Sequence, residues 1–263
     1  MSLLPTALKR LSYCFLLAAL IHLQAPAASA QWIHVTLAGT PRTPDGKPNL
    51  AAPVPTAPDG KPDLSGLWQV DSGKYLQNLA GEGVQVPLLP WAAAVYKGRQ
   101  SDSGKDRPSV HCMPHGVPDA MLVYPFKIVQ TPGEVIVLEE EFNQYRQILT
   151  DGRALPQDPE PAWFGYSVGK WEGDTLVVEV AGFKEGSWLD DGGYPHTDAL
   201  HITERLHRLT FGTMEMNITI DDPKAYSKPW QAAPIHFKLL PDSDLIEHLC
   251  ENEQDLQHLQ GGH

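Results

Sequence analysis

Positive charge is scarce in this chain. Twenty lysines and arginines stand against 32 acids, for a net charge of −12, and no two basic residues adjoin after residue 10. A surface of that sign repels phosphate backbones and anionic lipid. That argues against nucleic acid as a partner and against adhesion to a membrane surface. Long apolar runs are equally scarce: past residue 23 none approaches the ~20 residues that cross a bilayer. Several reactive signatures are missing as well. There is no GxSxG turn for a serine nucleophile, no HExxH, no glycine-rich phosphate loop after a strand and no CxxC for thiol exchange. Cysteine itself occurs three times in 263 residues.

What is present begins at the N-terminus. Lys9 and Arg10 precede an apolar stretch from Leu11 to Leu23, and Ala28-Ser29-Ala30 supplies the small-x-small pattern of a cleavage site. Residues 1–30 therefore read as a secretory signal, placing the mature protein in the periplasm or outside the cell, with no membrane insertion after cleavage. Cleavage removes Lys9, Arg10 and Cys14 and deepens the net charge from −12 to −14. The remaining cysteines, Cys112 and Cys250, are expected to form a disulfide in an oxidising compartment. The loop it closes is long, worth ~4–5 kcal/mol on chain-entropy grounds. A competing reading takes His111, Cys112, Met113 and His115 of "HCMPH" as copper ligands. The cysteine pair is the preferred reading.

Residues 31–63 form a proline-rich arm. Seven prolines fall within residues 41–62, and "DGKPNL" returns as "DGKPDL" 14 residues later. Proline at this density keeps a chain extended or turning over a surface. A domain follows over residues 64–252, and residues 253–263 read as a flexible tail. Residues 64–125 are irregular, with one short helix expected at "PWAAAVYKGRQ", where Pro90 suits a first turn. From residue 126 to 249 the pattern is that of successive antiparallel strands: "FKIVQ", "EVIVLEEEF", "QYRQILT", "YSVGKW", "TLVVEV", "ALHITERLHRL", "TMEMNITI", "IHFKLL" and "DLIEHL". Met214, Met216, Ile218 and Ile220 alternate with polar residues, the mark of a strand with one buried face. Period-two patterning over so many short strands predicts an all-β, up-and-down barrel, with a two-sheet sandwich as the alternative. Barrels of this size fill with side chains or hold one small ligand.

The chemistry concentrates in "WLDDGGYPHTDALHITERLHR", residues 188–208, which holds four acids and three histidines. On the strand that ends it, Leu200, Ile202, Glu204, Leu206 and Arg208 share the apolar face, so Glu204 points inward. An inward carboxyl is either paired or held neutral by a raised pKa, and the second state suits proton transfer. Glu140, among Ile136, Leu138 and Phe142, is expected to point inward too, with Arg146 or Arg205 available to neutralise either acid. The Gly192-Gly193-Tyr194-Pro195 turn fixes the approach of His196, a candidate acid or base. His196, Glu204 and His201 are thus the candidate catalytic residues. Tyr145, Arg146, Glu140, Asp190 and Trp188 are candidates for substrate binding. No cofactor is called for. The alternative is a divalent metal on His196, His201 and Asp190. The plain reading is an acidic loop beside an edge strand.

The phrases "PDLSGLW", "YPFKIVQTPG", "VGKWEGDTLVVEVAGF", "WLDDGGYPHTDALHITER" and "DDPKAYSKPW" resemble a family of secreted bacterial proteins of unassigned function, over residues 62–252. The resemblance implies export and a calycin-like fold. It supplies no catalytic roles, and it weakens the copper reading, because the family keeps the cysteine without the flanking histidines. The expected function is a secreted, cofactor-independent enzyme of the lyase, isomerase or hydrolase type, acting on a small organic molecule by His/Glu acid–base chemistry. The alternatives are a periplasmic lipocalin-like carrier and a metalloprotein.

Overall fold

The computed structural model describes residues 35–250. The signal sequence and the C-terminal tail lie outside the described residues. The proline-rich arm is ordered by its own repeat. Thr43 N–H donates to Lys47 O and Asn49 N–H to Pro41 O; fourteen residues on, Ala57 N–H donates to Lys61 O and Asp63 N–H to Pro55 O. Each copy turns on the glycine of DGKP, with φ of +82° at Gly46 and +79° at Gly60, angles that cost other residues strain. Arg42 clamps the first turn to Asp242 through two hydrogen bonds of 2.7 and 2.5 Å. Leu50 O accepts from Gly212 N–H and from the Thr210 hydroxyl.

Ten strands follow: β1 (Gly66–Val70), β2 (Phe126–Thr131), β3 (Glu134–Glu139), β4 (Tyr145–Leu149), β5 (Tyr166–Glu172), β6 (Thr175–Ala181), β7 (His201–Thr210), β8 (Thr213–Asp221), β9 (Trp230–Gln231) and β10 (Ile235–Leu239). Two helices, α1 (Lys74–Gln77) and α2 (Pro90–Ser101), lie between β1 and β2, with 3-10 turns at Pro108–His111 and Asp119–Leu122. The expected helix is α2, and Pro90 occupies its first turn. β1 to β8 pair in chain order and β10 joins β8 back to β1, so nine strands close a barrel. β9 borrows the rest of the β8 edge through Thr219 and Ile220. An odd ring cannot reverse direction at every step. Here β4 and β5 run parallel, paired at Ile148–Ser167 and Leu149–Val168, while the other neighbours are antiparallel.

The barrel is filled. Trp68, Phe126, Ile128, Val178, Ile202, Met216 and Phe237 are all at most 1% exposed and point inward. Each such side chain contributes roughly 1.5–3 kcal/mol by leaving water. Gly169 allows β5 to come close, since a Cβ there would stand 2.9 Å from Thr150 Cγ2 and 3.0 Å from Ile148 Cγ2.

Three expectations are corrected. Glu140 is not on the inward face. Phe126 and Ile128 face the core and pair with Glu139 and Val137, so Val135, Val137 and Glu139 point inward. Both faces of "VIVL" are apolar, and period two could not choose between them. "DLIEHL" makes no strand, only one bridge between His248 and Glu141. Both edges of β10 are already taken, by β1 and β8, and no barrel edge is left to receive it. β1, which closes the ring, belongs to a stretch that reads as irregular.

No helix among the described residues is long and apolar enough to cross a membrane. Cys112 and Cys250 form the expected disulfide, with Cα atoms 5.5 Å apart and a sequence separation of 138. A disulfide suits an oxidising compartment.

Candidate functional site

Glu204 does point inward, as the β7 alternation requires, and it is fully buried. Arg146, on β4, meets it with Nη1 at 3.0 Å and Nη2 at 2.6 Å, and the Arg146 Nε–H donates to Ser167 Oγ at 2.9 Å. This is a two-pronged ion pair with both carboxylate oxygens occupied. Glu139 lies in the same interior. Burial pushes its carboxyl up to about 8; the Arg146 charge opposes the rise, and Glu141 and Glu204 add to it. Glu204 therefore serves the ion pair, and the inward carboxyl pushed towards the neutral form is Glu139.

The loop before β7 is built around buried polar side chains. Asp190, fully buried, accepts N–H bonds from Leu79, Gly193 and Tyr194. Trp188 lies under the Arg99 guanidinium, 4.1 Å from its ring centre. His196 Nδ1 stands 3.0 Å from Thr197 O, so that nitrogen carries the proton, and Nε2 accepts the Ser187 hydroxyl at 2.6 Å. Burial lowers its pKa, against the pull of Thr197 O and the Asp222 charge, which agrees with a neutral ring. His201 points outward and pairs with Glu179 at 3.2 Å, both about 40% exposed. Glu140 accepts a long bond from Ile246 N–H, 3.4 Å. Tyr145 is 62% exposed on the outer wall. The three candidate catalytic residues thus occupy three places: barrel interior, buried loop and outer face. The metal set of His196, His201 and Asp190 is not assembled.

The residues that do converge are others. His115 follows the disulfide-anchored turn Pro108–His111, and Gly116 lets its loop press on Ser187, whose Cβ would be 2.7 Å from an added Cβ. Glu141 is presented by the bend after β3, where Phe142 and Asn143 take φ of +52° and +54°. Its carboxylate receives the His115 Nδ1–H, with Oε1 at 2.7 Å and Oε2 at 2.8 Å, and the His115 backbone N–H at 3.1 Å. The other ring nitrogen, Nε2, faces Asp191 Oδ1 at 3.1 Å and Asp119 Oδ2 at 3.8 Å. Arg107 reaches Asp191 Oδ2 at 3.5 Å. Asp191 is held in place by its backbone N–H on Leu76 O and by Gly192, where an added Cβ would run into the Gln77 carbonyl.

His115 and Glu141 are buried, and Asp119 is 2% exposed. Burial opposes charge on the His115 ring, but hydrogen bonds to Asp191 and Glu141 and the Asp119 charge prevail and raise its pKa to about 10. Burial holds Asp119 well above the usual carboxylate range; the His115 charge opposes that, and Asp191, Asp190 and Glu141 reinforce it. His115, Glu141, Asp191 and Arg107 form the polar wall of a cleft of about 690 Å³, which Val123, Tyr124, Phe142, His248 and Leu249 complete with apolar and ring surface, and Asp119 lies outside its lining. A second cavity of about 670 Å³ opens where β4 and β5 splay apart, between Tyr145, Trp163, Phe164, Tyr166 and Arg153.

In the sequence His115 stands out only inside "HCMPH", and Asp191 only as one of the four acids of residues 188–208. Asp119, four residues after His115, and Glu141, last of three consecutive acids, carried a usable signal: a His–Asp pair beside an anchoring cysteine. Comparison with family models, with curated proteins and with solved structures finds no match to this chain.

Proposed function

We propose that this protein is an exported enzyme that acts on a small organic molecule by acid–base chemistry, with the His115 cleft as its reactive centre. One observation carries the reading: at the wall of an open cleft, a buried imidazole is fixed on one nitrogen by Glu141 and turned by the other towards Asp119 and Asp191. Strongly shifted titratable groups against a cavity are the usual mark of a reactive site. In this reading Glu141 orients the ring, and the chemistry takes place at its Nε2 edge, which faces Asp119 and Asp191. Arg107 binds a developing negative charge, and Tyr124 and Phe142 hold the organic part of the substrate. Hydrolysis and elimination both suit such a site. Export is supported by the disulfide and by the N-terminal signal pattern, and the likeness to secreted bacterial proteins belongs to the same proposal.

The test is turnover of a panel of small esters, lactones, amides and β-elimination substrates by the wild type, His115→Gln and His196→Gln. The reading expects turnover that falls by at least ~10²-fold in His115→Gln, the usual worth of a positioned acid or base. His196→Gln, which alters a buried loop, should stay within several-fold. Turnover that survives His115→Gln and vanishes in His196→Gln would move the centre to the Ser187–His196 pair. The carrier reading has its own support in the aromatic slot beside Tyr145 and Trp163. It expects binding there and turnover nowhere.

A further inference from the structure

We infer that His115, Asp119 and Asp191 are the three protein ligands of one divalent, zinc-like cation, with Glu141 as the outer partner that orients the histidine. This rests on reading the cleft as the reactive centre and names the cofactor that centre would use. One donor atom from each of the three residues lies within 4.8 Å of the other two. The closer separations, 3.1 Å from Nε2 to Asp191 and 3.8 Å from Nε2 to Asp119, bracket the spacing of ligands around zinc. Two donors each ~2.0–2.1 Å from a tetrahedral ion stand roughly 3.3–3.4 Å apart.

The independent observation is Asp119. It is 2% exposed, and its Oδ1 has no hydrogen-bond partner. A lone proton on Nε2 serves Asp191 alone, and Oδ2, the Asp119 oxygen that faces Nε2, stands 3.8 Å away, beyond hydrogen-bond reach. A cation between them serves both carboxylates. Ligation requires a neutral His115 ring and an ionised Asp119, and in that state Asp119, Glu141 and Asp191 against Arg107 leave a net of −2, which one divalent ion balances. Glu141 on Nδ1 is the carboxylate–histidine–metal arrangement that fixes the tautomer with the Nε2 lone pair towards the ion. One histidine and two carboxylates suit zinc or its first-row neighbours rather than calcium or copper(I). Three protein ligands beside an open cleft leave the fourth position for water or substrate, as in catalytic zinc sites, where the bound water becomes a base near neutral pH.

The test is zinc uptake by the mature, disulfide-intact protein after chelator treatment and dialysis, read by calorimetry and elemental analysis. The expected result is one equivalent in the wild type and loss of that site in His115→Gln and in Asp119→Asn. Glu141→Gln should bind roughly 10–100-fold more weakly, and His196→Ala/His201→Ala should bind as the wild type does. Circular dichroism verifies the fold of each variant. If His115→Gln fails to fold, Asp119→Asn together with the cobalt(II) absorption spectrum of the wild type decides the matter. No uptake by the wild type, or uptake that survives both ligand substitutions, overturns the inference. Uptake without loss of turnover in His115→Gln would instead overturn the cleft as reactive centre and leave the metal site standing.

Discussion

Glu204 and Glu139 occupy the same barrel interior and answer to different forces. Glu204 meets a guanidinium on both oxygens, whereas burial dominates at Glu139 and lifts its pKa to about 8. Removing one partner of a buried pair strands the other charge, so Glu204→Gln should cost ~3–5 kcal/mol. Replacing both, Arg146→Met with Glu204→Leu, should cost far less. Urea midpoints of the single and double variants test this, and equal losses would contradict it. Glu139 carries a pH dependence of definite sign. Its pKa in the folded protein lies above the ordinary 4.5, so the folded state binds more protons between 4.5 and about 8. The stabilisation from that proton is complete below about 4.5 and is lost as pH rises through about 8. The wild type should therefore lose stability from pH 5 to pH 9 more steeply than Glu139→Gln; parallel profiles would show that Glu139 is ionised throughout. From sequence, the inward direction of Glu204 was legible, because polar residues interrupt the opposite face of β7. Its pairing was not, because Arg146 lies 58 positions away and only barrel closure joins them.

At the scale of elements, the cleft is assembled from a turn, a strand end and a loop that share no pattern in the sequence. The disulfide ties the His115 turn to the segment that carries His248 and Leu249, one wall of the cleft. Cys112→Ser/Cys250→Ser should cost ~4–5 kcal/mol, the worth of a loop of this length in the chain-entropy model. A thermal melt of the reduced-type variant that coincides with the wild type would refute that. Gly192 is a second control point. An added Cβ would press into the Gln77 carbonyl, so Gly192→Ala should shift Asp191 and weaken any ligand of the cleft while leaving the barrel folded. Unchanged binding in Gly192→Ala would show that Asp191 takes no part. Strand periodicity located most of the sheet, including β7 and β8. It failed at "DLIEHL", where a strand-like sequence finds no free edge, and at Glu140, where two apolar faces left the register open.

At the scale of the molecule, closure decides where chemistry can occur. Trp68, Phe126, Phe237 and their neighbours fill the barrel, so the fold offers ligands its rim and its β4–β5 seam rather than a central cup. An all-β barrel was legible because its strands are short, regular and patterned. The site was not, because its four residues come from three separate segments: His115 and Asp119 from the stretch after the disulfide, Glu141 from the bend after β3 and Asp191 from the loop before β7. The most direct test of the cleft as the working site is a crystal structure of the mature protein soaked with a panel of small organic fragments. The account predicts fragments in the 690 Å³ cleft, in contact with His115 and Arg107. Fragments found only in the seam beside Tyr145 and Trp163, or within the barrel, would contradict it.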